Sequence, residues 1–214
     1  MNMKKLSLLL AMAGVAFTVT AHAQDAAKGK EKAAMCIGCH GIVGYQASFP
    51  EVHKVPMISG QGGKYIAAAL NAYKKGERKH PTMKAIAASL TDADMADLGA
   101  FYEAQGAGKA ADAAPAASAD VAALLTKGAC ASCHGANYSK PIDGAYPKLA
   151  GQHGDYLYVA LKAYTVEGNP QVGRGNAIMA GQVKQFKKEE LRAIANYLAG
   201  LPTDLQVVPQ SKFR

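Results

Sequence analysis

Alternating runs of β-branched residues are missing from this chain of 214 residues, which excludes a sheet-based core. Long apolar runs are also scarce. A single run, Leu6 to Thr18, lies near the start and is short for a membrane span. Charge of one sign is concentrated nowhere. The formal net charge of +8 falls to +6 without Lys4 and Lys5, residues 25–108 carry 10 basic and 8 acidic side chains, and residues 119–214 carry 11 and 7. Such a spread, with no reading motif, argues against nucleic acid and is compatible with acidic protein partners. Cysteine is rare as well: there are four, and none lies outside two short motifs.

Those motifs are Cys36-Ile-Gly-Cys39-His40 and Cys130-Ala-Ser-Cys133-His134. Cys-x-x-Cys-His is the signature of covalent c-type haem attachment. Two thiols one helical turn apart reach the two vinyl groups of one porphyrin, and the adjacent histidine falls under the iron as proximal ligand. Two copies predict two c-type haems, each with its iron, on one chain. A zinc ribbon would bring its cysteine pairs within about 15–20 residues of each other, whereas here the gap runs from Cys39 to Cys130. A thioredoxin-like pair would be single and set in a βαβ unit. Structural disulfides would not require His40 and His134.

Residues 1–23 read as a secretory signal peptide. Lys4 and Lys5 form a positive n-region, the apolar run follows, and Ala21-His22-Ala23 is a small-x-small cleavage site before Gln24. An uncleaved anchor is the competing reading. Because c-type haem is attached outside the cytoplasm, the expected compartment is the periplasm, with peripheral contact at the membrane surface a further expectation.

The remainder is one domain written twice. Pro56-Met-Ile-Ser-Gly60-Gln61 matches Pro147-Lys-Leu-Ala-Gly151-Gln152, and Tyr65 to Tyr73 matches Tyr156 to Tyr164. Leu90 to Phe101 follows the apolar rhythm of Phe186 to Tyr197. Domain one is expected over residues 24–105 and domain two over 119–214. Between them residues 106–118 form an Ala/Gly-rich linker, in which Gly106, Gly108 and Pro115 oppose a long helix. Each half shows three helical stretches. In the first half these are 26–35, 64–75 and a last helix opening at Thr91, with Asp94 completing a capping box. In the second they are 120–129, 155–165 and a last helix ending at Ala199-Gly200 before Pro202. Each domain is thus small and all-α. A core of that size is marginal alone, so the haem is expected to supply much of it.

A proximal histidine leaves the sixth iron position to assign, and methionine there suits electron transfer. Met179 is the single methionine of the second half. Met83 lies 43 residues after His40, and Met179 lies 45 after His134, each ahead of the last helix in a stretch that reads as loop. Met83 and Met179 are therefore the candidate axial ligands. Met35 abuts Cys36, Met57 aligns with Lys148, and Met95 aligns with Leu191 as core filler. His53, His80 and His153, each a candidate in principle for a bis-His site and His80 only three residues from Met83, have no equivalent in the repeat and read as surface residues. Arg174 reads as a solvated loop arginine, with a haem propionate as the alternative partner. The carbonyls of Pro56 and Pro147 are plausible acceptors for the second ring nitrogen of His40 and His134, with turn prolines as the plainer reading.

These motifs together resemble the cytochrome c4 family, dihaem proteins of two tandem class I cytochrome c domains. The resemblance spans the mature chain. It rests on the twofold Cys-x-x-Cys-His, the Pro-x-[Ile/Leu]-x-Gly-Gln segments, Met83 and Met179, and the linker. It implies two domains facing each other across a pseudo-twofold axis, with propionates near the interface. It also implies a non-enzymatic periplasmic carrier in the respiratory chain, taking electrons from a quinol-oxidising complex towards a terminal oxidase. The departure is a longer loop from Gly41 to Val55 than from Gly135 to Tyr146. Two other readings keep the motifs. One is a dihaem subunit of a larger dehydrogenase, such as a flavin-containing sulfide dehydrogenase. The other is a peroxidase or gas sensor, which requires an open iron and which Met83, Met179 and the short length oppose.

Overall fold

The computed structural model describes residues 24–209. The expected signal peptide lies outside the described residues. Among the described residues no helix is long and apolar enough to cross a membrane.

The first half holds α1 (Ala26–Lys32), α2 (Ala34–His40), strands β1 (Gln46–Ala47) and β2 (His53–Lys54), then α3 (Gly63–Lys75), β3 (Arg78–Lys79), α4 (Pro81–Ala88) and α5 (Asp92–Glu103). The second half holds α6 (Ala119–Lys127), α7 (Cys130–His134), α8 (Gly154–Ala163), β4 (Gly173–Arg174), α9 (Ala177–Val183) and α10 (Lys188–Ala199). The all-α reading stands, since the four strands have two residues each. Each half has more helices than the three stretches expected: the leading stretch breaks before its haem motif, and a short helix carries each late methionine.

Local chemistry explains the helix ends. Asp25 caps α1 by accepting from the N–H groups of Ala27 and Lys28, and its own N–H donates to Asp97 on α5. Thr91 and Asp94 form the expected capping box of α5. Burial follows the helical period. Leu191, Ile194, Ala195 and Leu198 line the inner face of α10, and Ile66 and Leu70 that of α3. In domain one they meet Met95, Leu98 and Tyr102 of α5. Fully burying a side chain such as Leu98 contributes roughly 1.5–3 kcal/mol. Met95 and Leu191, the aligned filler positions, are both core. The helix α5 crosses α1 and α3 closely because glycine lies at the contacts. A β-carbon on Gly29 would meet the Asp97 carbonyl oxygen at 2.1 Å, and one on Gly99 would meet that of Gly63 at 2.5 Å.

The halves meet along a seam. β3 and β4, one from each half, pair antiparallel with Arg78 opposite Arg174. The longer loop of domain one folds into the β1–β2 hairpin and reaches over α8: Glu51 pairs with Lys162, and the Lys54 N–H donates to Asp155. His53, expected at the surface, is 5% exposed for this reason and packs against Tyr156 of α8. From domain two, the tail after α10 crosses back, where Gln206 bridges Ser59 and donates to the Gln105 carbonyl. The 106–118 segment contains no helix and is strapped to domain two, its Ala111 and Pro115 carbonyls accepting from Asn137 and Tyr197.

Candidate haem-binding sites

Cys36, Cys39 and His40 lie on α2, while Cys130, Cys133 and His134 make up the ends of α7. All four cysteines are half-buried, and none is disulfide-bonded to another. Among the described residues no group of three or more His, Cys, Asp and Glu is placed to hold a metal ion, so the two cysteine pairs do not converge on a zinc site.

The Nδ1 of His40 lies 2.8 Å from the Pro56 carbonyl oxygen, and that of His134 lies 3.0 Å from that of Pro147. Nδ1–H donates to the carbonyl, which leaves Nε2 of each ring to ligate. Burial lowers the basicity of both rings, favouring the neutral imidazole a metal ion needs. The carbonyl partners read from the sequence are thus the ones present.

Met83 and Met179 are not in loops. Each occupies the third position of a short helix, α4 or α9, and packs against its domain's apolar cluster. Cys36 borders the same cluster as Met83, and Cys130 the same cluster as Met179. What looked irregular in the sequence is a helix started by a cap three residues upstream. The Met83 N–H donates to His80 Nδ1 at 3.4 Å, and the Met179 N–H to Asn176 Oδ1 at 2.9 Å. His80 therefore does have a repeat equivalent, a different residue with the same task.

Arg174, expected in solvent, instead enters the seam. Its Nη2 donates to the Tyr156 hydroxyl at 3.1 Å and its Nη1 to the Tyr164 hydroxyl at 3.4 Å. Arg78 donates to Tyr65 at 3.1 Å and to Tyr156 at 2.7 Å, and its Nε is buried without a partner. Among the described residues neither guanidinium has a carboxylate within ion-pair distance. Burial raises the Tyr156 phenol, but Arg78 and then Arg174 outweigh it and hold it at about 8. Two like charges facing each other across a strand pair are destabilising. An anionic group at the seam would neutralise them and satisfy Arg78 Nε, and the carboxylates of haem propionates fit that need. The signal was present but unread: Arg78 and Arg174 each stand five residues before Met83 and Met179.

Fold and site together define a tandem c-type cytochrome, and comparison with known proteins agrees. The cytochrome c family model matches residues 26–103 and again 118–202. Cytochrome c4 of Azotobacter vinelandii is 31% identical over 94% of this chain and 100% of its own length. A thiosulfate dehydrogenase electron acceptor of Stutzerimonas stutzeri (strain A1501) is 30% identical over 90% of this chain and 94% of its own. The crystal structure of reduced recombinant cytochrome c4 from Pseudomonas stutzeri superposes with a TM-score of 0.61 at 27% identity, covering 84% of this chain and 100% of that one. The chain belongs to the cytochrome c4 family. It is a dihaem electron-transfer cytochrome with two covalently bound c-type haems.

Proposed function

We propose that Cys36 and Cys39 carry one haem and Cys130 and Cys133 the other, with His40/Met83 and His134/Met179 as axial pairs. The protein then acts as a non-enzymatic periplasmic carrier, taking single electrons from a quinol-oxidising complex towards a terminal oxidase. When bound, each haem supplies a one-electron ferric/ferrous couple. The chain's own residues set the conditions for it. The Pro56 and Pro147 carbonyls orient the two rings, and capped helices hold Met83 and Met179 at equivalent places. Arg78 and Arg174 offset anionic charge at the seam. The observation that carries the reading is the twofold recurrence of the whole arrangement, motif, carbonyl acceptor and capped methionine, in one chain. Two sites in which a His and a Met would hold each iron would suit a carrier, because that ligand pair belongs to electron transfer and leaves no open position.

The Stutzerimonas relative favours a second reading, in which the donor is a dehydrogenase. Spectra of the holoprotein, oxidised, reduced, and reduced under carbon monoxide, test the site. Two haems per chain, a sulfur-to-iron band at the red edge and no carbon monoxide response are expected. A carbon monoxide shift in either haem would mean an open iron and would overturn the carrier reading. Stopped-flow reduction by a purified quinol-oxidising complex, set against reduction by a thiosulfate dehydrogenase, separates the two donors.

A further inference from the structure

Gln61 and Gln152 occupy equivalent places in the repeat, and each reaches into the other domain. Gln152 Oε1 accepts from the Met57 N–H at 3.0 Å while its Nε2 donates to the Met57 carbonyl at 2.8 Å. Gln61 Oε1 accepts from the Lys148 N–H at 2.8 Å while its Nε2 donates to the Lys148 carbonyl at 3.0 Å. Each amide pairs with one residue of the opposite domain as a neighbouring antiparallel strand would. Both side chains are 4% exposed. Their orientation is settled by the donors around them, since each Oε1 also accepts from the next backbone N–H, that of Gly62 or His153. Two N–H groups aimed at one atom require it to be oxygen.

The partners are not arbitrary. The Met57 N–H and the Pro56 carbonyl belong to one peptide unit, and that carbonyl accepts from His40 Nδ1. The Lys148 N–H shares a peptide unit with the Pro147 carbonyl, which accepts from His134 Nδ1. A short relay therefore runs from each glutamine of one domain, through one peptide bond, to the proximal histidine of the other. Hydrogen bonds in series polarise one another. An N–H that donates makes its own carbonyl a stronger acceptor, and a stronger acceptor at Nδ1 raises the basicity of the ligating imidazole. A more basic ligand favours ferric iron.

We propose that Gln61 and Gln152 are positioning residues that tune the axial histidine of the opposite domain, so that docking of the domains lowers both haem potentials and couples them. This rests on His40 and His134 being axial ligands. It predicts an inverted pattern: a change in one domain is felt at the haem of the other.

The test uses Gln152→Leu and Gln61→Leu holoproteins, with midpoints from spectroelectrochemical titration and each haem assigned by its proton resonances. Gln152→Leu should shift the domain-one haem to higher potential with a smaller effect on domain two, and Gln61→Leu should do the reverse. Amide hydrogen exchange should show loss of protection at Met57 in the first variant and at Lys148 in the second. A larger shift at the variant's own haem, or no shift, would overturn the proposal. Loss of protection at both amides with both midpoints moving together would assign the glutamines to docking alone and would overturn it as well. In the unsubstituted protein, paramagnetically shifted ring protons of His40 and His134 report ligation. Their absence would overturn the ligand reading itself, whereas shifted rings with unmoved midpoints would overturn only the relay.

Discussion

Arg78 of domain one donates from Nη2 to the hydroxyl of Tyr156 of domain two at 2.7 Å, and the same oxygen accepts from Arg174 Nη2 at 3.1 Å. One phenol thus holds both guanidinium groups that face each other across the β3–β4 pair, each of which has one further tyrosine hydroxyl of its own. Tyr156→Phe keeps the ring that packs against His53 and removes only the shared acceptor. It should destabilise the docked holoprotein by about 1–3 kcal/mol, the cost of leaving buried donors unmet. Calorimetry of the holoprotein beside its variant checks this; an unchanged unfolding temperature would show that other anionic groups already satisfy both arginines.

Acid should weaken the protein partly through His153. The ring is half-buried, and burial depresses its pKa below 6.5, with Asp155 opposing and Lys54 reinforcing the depression. A histidine depressed in the folded state binds fewer protons there than in the unfolded chain, so its contribution is complete above about pH 6.5 and is lost as pH falls. Unfolding temperature should therefore decline between neutral pH and pH 5. His153→Gln should flatten part of that slope, and a variant slope equal to the parent's would remove His153 from the account.

His80 and Asn176 do the same work unequally. The His80 cap is long, 3.4 Å against 2.9 Å. His80→Ala should cost about 0.5–2 kcal/mol as a lost N-cap, while His80→Asn, copying domain two, should hold or raise stability. Thermal unfolding reads the energy. If α4 positions the Met83 sulfur, the red-edge band of domain one should weaken in the alanine variant and persist in the asparagine one.

Met83→Leu and Met179→Leu should each open one iron. Carbon monoxide is then expected to bind about half of the haem in either variant and nearly all of it in the double variant, followed by the visible spectrum. The affected haem should also fall in potential, because Met opposite His raises it. A variant that stays closed to carbon monoxide would show that its methionine is not the ligand, and nearby His80 would then be the first alternative to test in domain one.

Much of the site was legible because the chain states it twice. The carbonyl acceptors Pro56 and Pro147 and the filler role of Met95 follow from comparing one half with the other. Where the halves differ, the reading failed. The extra loop residues of domain one gave no pattern, so the hairpin that buries His53 was invisible. Met83 and Met179 looked like loop residues because the α4 and α9 helices, eight and seven residues long, are too short for a helical period to emerge. They exist because a cap, one of them an unusual histidine, meets an apolar cluster assembled from distant segments.

Local spacing alone determined the chemistry: two thiols one turn apart with a histidine beside them need no tertiary context to specify c-type haem. The doubled domain was likewise written in the sequence, because helix periods and turn residues act over a few positions. What lies between the domains was decided only by the tertiary structure. Gln61 and Gln152 stood in the repeat as matched letters, as did Arg78 and Arg174 at equal distances from their methionines. Nothing local says that each glutamine binds the opposite domain's backbone, or that the two arginines meet in one seam. Those contacts link residues 78 to 96 positions apart, and they exist only once two small cores have formed and docked.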